Sequence, residues 1–121
     1  MAILNLTQHT ATPEQIEEGV VEVESGHKVI LTNLLTFDEI PDHTDLVLRA
    51  RLLTAVVKQQ YPLVKTVMIG GAPYLMSHLE TALCSAGFDY VYAFSKRESV
   101  EEVQEDGSVR KVNVFRHIGF V

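Results

Sequence analysis

The sequence predicts an α/β fold: a Rossmann-like, mostly parallel sheet with helices on both faces and a C-terminal antiparallel β-hairpin. Three observations carry this expectation. Short apolar runs at residues 2–7, 65–69 and 88–95 alternate with segments whose apolar residues recur every three or four positions, the pattern of strands joined by helical crossovers. The run Val67-Met68-Ile69 holds no polar residue, as suits a strand buried on both faces. Asp106-Gly107 stands between two extended segments, a strong short-range hairpin signal.

The elements follow in order. Residues 2–7 read as a short buried strand, and Gln8-His9-Thr10-Ala11 as a loop. Thr12-Pro13-Glu14-Gln15 has the form of a capping box, with Pro13 at the first helical position and Gly19 as the stop. Residues 20–23 make a second strand, followed by a turn at Ser25-Gly26. In residues 28–37, Val29, Ile30, Leu31, Leu34 and Leu35 suit a helix better than a strand. Residues 42–60 are the clearest helix, with Leu46, Val47, Ala50, Leu53 and Val57 on one stripe and Asp42 or Thr44 as cap. Residues 65–69 form a strand, and 73–86 a helix that Gly87 ends. Residues 88–95 form a further strand, and the hairpin joins 100–104 to 109–115. There is no repeat and no linker, so residues 1–121 read as one domain.

Composition narrows the function. A chain of 121 residues suffices for a single hydrophobic core. Hydrophobic residues make up 46% and charged residues 21%, the balance of a soluble globular protein. No apolar run approaches the roughly 20 residues of a membrane span. The opening Met1-Ala2-Ile3-Leu4-Asn5 has neither the basic start nor the long apolar stretch of a signal peptide. The single cysteine, Cys84, cannot form an internal disulfide, so the expected location is the reducing cytoplasm. A net charge of −6 argues against tracking duplex DNA, which needs a basic face, and leaves room for a small anion in one pocket.

In parallel sheets ligands bind outside the carboxyl ends of the strands, and three segments fall there. Gly70-Gly71 lets a ligand approach the backbone closely, and Pro73 opens a helix whose first N–H groups suit an anion. The run is neither a three-glycine dinucleotide fingerprint nor a phosphate-loop lysine motif. It reads as a phosphate or carboxylate site, or simply as a tight turn. His9 follows Asn5, Thr7 and Gln8 directly after the first strand, where an imidazole serves as general acid or base or donates to a phosphate. It also reads as an ordinary loop histidine, with Asn5 satisfying backbone and Thr7 a plain strand residue. Ser95-Lys96-Arg97 ends the run Tyr90-Val91-Tyr92-Ala93-Phe94; the Arg97 guanidinium matches phosphate geometry and Ser95 adds a hydroxyl, while a surface ion pair is the competing reading. Arg116-His117 is a similar pair, although a histidine among apolar residues is commonly structural.

His27, His43 and His78 show no paired spacing that suggests a metal, and a lone cysteine makes a structural zinc site unsuited to this chain. Cys84 reads as a core residue. Nucleophile elbows and zinc-helix motifs are absent from the sequence, so an enzyme built on these residues works without metal, cofactor or covalent intermediate.

Two ends of the chain together carry a family resemblance. His9-Thr10-Ala11-Thr12-Pro13-Glu14-Gln15, Tyr92-Ala93-Phe94-Ser95-Lys96-Arg97, Val100-Glu101, Glu105-Asp106-Gly107-Ser108-Val109 and Val114-Phe115-Arg116-His117 resemble a small CRISPR-associated Rossmann-like family linked to ring nucleases, enzymes that open cyclic oligoadenylate messengers. The middle departs from it, with Ile69-Gly70-Gly71-Ala72-Pro73 where that family carries a Gly-Asp-type turn. The resemblance implies antiviral defence and a metal-independent reaction in which the ligand's own ribose 2′-hydroxyl is the nucleophile. The protein then aligns that hydroxyl and stabilises charge on the phosphoryl oxygens. Backbone N–H groups of Gly70, Gly71 and Ala72, with Ser95 and Arg97, would supply the charge stabilisation, His9 the proton for the leaving oxygen, and Lys96, Arg116 and His117 further ligand contacts. A cyclic, symmetric ligand implies a two-fold homodimer, with Ile118-Gly119-Phe120-Val121 as a contact or as packing on the sheet. Two other readings stay open: a non-catalytic sensor or sponge for such a nucleotide, and an interaction protein with no small ligand.

Overall fold

The computed structural model describes residues 2–121. Its elements run β1 (Ile3–Asn5), α1 (Pro13–Glu17), β2 (Val20–Val21), α2 (Ser25–Leu35), α3 (His43–Gln60), β3 (Thr66–Ile69), α4 (Pro73–Ser85), β4 (Asp89–Val103) and β5 (Val109–Phe120). They build a mixed α/β fold around one sheet in the order β2-β1-β3-β4-β5. The pairs β1–β2, β1–β3 and β3–β4 are parallel, and β4–β5 is antiparallel.

The two faces are covered unequally, which qualifies the expectation of helices on both. Leu4, Leu6, Val67 and Ile69 pack with Leu31, Leu53, Leu75, Leu79 and Leu83 of α2, α3 and α4. Each fully buried leucine contributes about 1.5–3 kcal/mol. The opposite face carries a smaller cluster of Ile3, Ala11, Val20 and Met68, with Val91 and Phe120 against it, and only the five-residue α1 lies there. Connection direction explains the asymmetry. From β1 the chain moves to β2 on one side, whereas the later crossovers run to β3 and β4 on the other. Crossovers of one hand that run in opposite directions must pass over opposite faces.

Several elements differ from their expectation. Ser25 and Gly26 form the first turn of α2, not a loop, because the apolar spacing of the following residues outweighs one glycine near a helix start. Asp42, not Thr44, caps α3 by accepting from the Asp45 N–H at 2.8 Å. Residues 89–103 form one strand without a break, and β5 continues to Phe120, so the C-terminal segment belongs to the sheet. A bulge lies between Phe94–Gly119 and Ser95–His117, leaving Ile118 without a cross-strand partner. Beyond it the two strands pair only with each other. The turn places Gly107 at φ +83°, with its N–H on Gln104 O, and among the described residues no non-glycine has positive φ. The loop between the two strands is thus closed by one left-handed glycine, close to the bounds expected for the hairpin. Cys84 is exposed, a correction to its core reading: the buried stripe of α4 runs through Leu75, Met76, Leu79 and Leu83, and Cys84 is turned about 100° from Leu83. No helix among the described residues is long and apolar enough to cross a membrane.

Candidate functional site

A crevice of about 240 Å³ opens at the carboxyl ends of β1 and β3. Thr7, Gln8 and His9 line one side and Gly70 and Gly71 another, with Gln15 and Ala93 on its flank. The connections around β1 diverge here, the place where open parallel sheets leave a gap between loops.

The β1 loop is held from beneath by Asn5, which is fully buried. Its Oδ1 accepts from the Thr7 N–H at 3.0 Å and the Thr7 hydroxyl at 2.7 Å, while Nδ2 donates to His9 O at 2.7 Å and Glu22 Oε1 at 2.8 Å. All four hydrogen-bonding positions of the amide are thus used inside the protein, so Asn5 shapes the loop and does not line the crevice. Glu22 also accepts from the Ala11 N–H at 2.9 Å, tying both ends of the loop to one carboxylate. Lys28 Nζ donates to Thr7 O at 2.6 Å, bringing an ammonium group to the base of the same loop. Gln8 Nε2 donates to Thr36 Oγ1 at 2.9 Å. The exposed His9 ring has no hydrogen bond or ion pair to any described residue.

The two glycines differ in what they do. Gly71 has φ +148°, a conformation that strains any side chain. A Cβ on Gly70 would meet only Thr7 Cγ2, at 3.7 Å, which is ordinary contact. Packing does not demand glycine at 70, and the space its missing side chain leaves belongs to the crevice. Ala72, the N-cap of α4, has no side-chain cap hydrogen bond and is not part of the crevice lining.

The other sequence candidates lie on the hairpin. Ser95 and His117 are cross-strand partners, as are Arg97 and Phe115, and strand alternation puts these four on the α1 face. Lys96 pairs with Arg116 on the opposite face, where Arg116 Nε is 3.4 Å from Glu98 Oε2. The structure therefore joins His9, Thr7, Gln8, Gly70 and Gly71, and separates Arg97 from Lys96 and Arg116. None of the three basic residues lines the crevice.

A family model described as the uncharacterized protein MJ1673 family matches residues 1–121. The chain belongs to the MJ1673 family. No curated protein and no solved structure matches it.

In this MJ1673-family chain a second cavity of about 290 Å³ adjoins the first, with Gln15 as a wall of both. It lies between α1 and the root of the hairpin and is lined by Ser95, Phe115, Arg116 and His117 together with Glu14. Sequence reasoning takes Gln15 only for the reciprocal partner in a capping box, which it is. That its side chain also divides two cavities has no local signal, and neither does the reach of Lys28 to Thr7 O, because both depend on tertiary packing. Behind the crevice, Glu80 of α4 accepts from Tyr92 at 2.5 Å and Tyr90 at 3.3 Å. Burial, then the hydrogen bond to Glu80, pushes the Tyr92 hydroxyl well above its ordinary range. The nearby negative charge of Glu80 raises that of Tyr90. Both phenols stay protonated donors and fix β4 against α4. Among the described residues no group of three or more His, Cys, Asp or Glu side chains is arranged to hold a metal.

Proposed function

We propose that this chain is a cytoplasmic, Rossmann-like domain that binds a phosphate-bearing nucleotide in the crevice and, as a ring nuclease, cleaves a cyclic oligoadenylate without a metal. One observation carries the reading: an unpartnered imidazole, His9, stands across from the bare backbone of Gly70-Gly71 at the β1–β3 divergence. Backbone amides there receive a phosphoryl group, and the ligand's 2′-hydroxyl attacks its phosphorus. An O–P bond forms to give a 2′,3′-cyclic phosphate and the P–O5′ bond breaks. The hydroxyl's proton goes to water, and His9 as its imidazolium gives one to the departing 5′-oxygen. Strand order and the position of the crevice support the Rossmann-like assignment. The tip of the β4–β5 arm, which leaves Val103 73% and Val109 58% exposed, supports a homodimer in which a second copy covers that tip. Duplex DNA and membranes are not partners in this reading.

A second reading, sequestration without cleavage, is favoured by a specific absence. Among the described residues no lysine or arginine is part of the crevice lining, so charge developing in a transition state meets backbone, His9 and neutral side chains such as Gln8 and Thr10. Incubation of the purified protein with cyclic tetra- and hexa-adenylate, with the products resolved by chromatography, decides between the two. Linear products support cleavage, stoichiometric retention without products supports sequestration, and no binding removes both.

A further inference from the structure

We propose that the cavity between α1 and the root of the hairpin is a nucleobase subsite, taking the base of the nucleotide whose phosphate sits at Gly70-Gly71. This rests on the reading of the crevice as a phosphate site. Gln15 forms a wall of both cavities, so one ligand passing its side chain touches both. Ala93 lines the first and Ser95 the second. Two residues of strand span about 7 Å, comparable with the reach from a phosphate to the base of the same nucleotide.

The lining decides the chemistry. A second phosphate is disfavoured, because Glu14 lines the cavity, Glu18 Oε1 stands 3.2 Å from His117 Nε2, and the one arginine of the lining, Arg116, is already 3.4 Å from the Glu98 carboxylate. A flat heterocycle with an amino group is favoured: the carboxylates accept from that group, and Phe115 exposes most of its ring at the rim, a stacking platform. His117 forms part of the wall. Its side chain is 3% exposed, and both ring nitrogens lie buried without a hydrogen-bond partner. The Glu18 oxygen is near enough for an ion pair yet does not meet the directional requirement of a hydrogen bond.

Isothermal titration of the full chain with adenosine 5′-monophosphate, inosine 5′-monophosphate and ribose 5-phosphate tests this. The adenine nucleotide should bind at least tenfold more tightly than ribose 5-phosphate, and more tightly than the inosine nucleotide, which lacks the amino group. Phe115→Ala should remove most of the tenfold advantage and leave ribose 5-phosphate binding unchanged, whereas Gly70→Ala should weaken all three alike. Equal binding of adenosine 5′-monophosphate and ribose 5-phosphate, or an unaltered advantage in Phe115→Ala, overturns the subsite alone. No binding of any of the three overturns the phosphate reading and the subsite with it.

Discussion

The side-chain amide of Asn5 lies 2.8 Å from the Glu22 carboxylate, joining the end of β1 to the segment just after β2. The same amide bonds His9 O, so the position of the proposed proton donor depends on a buried asparagine that does not line the crevice.

Asn5→Ala should therefore destabilise by about 2 kcal/mol or more, since it strands the Thr7 N–H and His9 O in the interior. Urea unfolding with an unchanged m-value measures this. Asn5→Asp should also destabilise, because it sets a second carboxylate against Glu22.

Three glycines should answer an alanine substitution differently. Gly26→Ala should stabilise by about 0.5 kcal/mol, since a Cβ there meets nothing within 4 Å and α2 has less chain entropy to lose. Gly71→Ala should destabilise by about 1–3 kcal/mol because of its positive φ. Gly70→Ala should leave the melting temperature nearly unchanged while weakening ligand binding. A Gly70→Ala melting temperature as low as that of Gly71→Ala would show that the turn, not the crevice, requires glycine at 70.

The Glu80–tyrosine cluster predicts alkaline sensitivity. Tyr90 and Tyr92 are held above their ordinary value of 10.0 in the folded protein. Above pH 10 the unfolded chain loses protons that the folded one keeps, so stability is fully present below that pH and is lost as pH rises beyond it. Glu80→Gln removes the neighbouring charge and should move tyrosinate absorbance to lower pH in a spectroscopic titration. An unshifted titration would show that burial alone sets both values.

If the ring-nuclease reading holds, His9→Ala should slow turnover about 10²-fold or more with a smaller effect on binding. Arg97→Ala should leave both binding and turnover close to those of the parent, because Arg97 does not line the crevice. Single-turnover kinetics against cyclic oligoadenylate separates the two. A cleavage rate in His9→Ala equal to that of the parent removes the proton-transfer role.

Much of the body was legible because local and tertiary signals agree there. Thr12 to Gln15 form the capping box that their identities announce, and Leu53 and Val57 face the core as their spacing requires. The hairpin region was less legible. Ser95 to Ser99 are polar on both faces, which ordinarily marks a loop, yet cross-strand hydrogen bonds carry β4 straight through them. In the site, strand-end position singled out His9 and the glycines. It treated Ser95, Lys96 and Arg97 as one group, whereas alternation along an unbroken strand sends Lys96 to the face opposite Ser95 and Arg97. The support from Asn5, Glu22 and Lys28 is long-range and leaves no periodic trace.

The arm beyond Ser95 and His117 shares no strand with the rest of the sheet. Its amides should exchange with deuterium on the timescale of local fraying, while those of Val67 and Ile69 wait for global opening. The outermost hairpin can therefore open and close many times within one lifetime of the folded body, and mutations at its tip should alter that local opening without lowering the temperature at which the core melts.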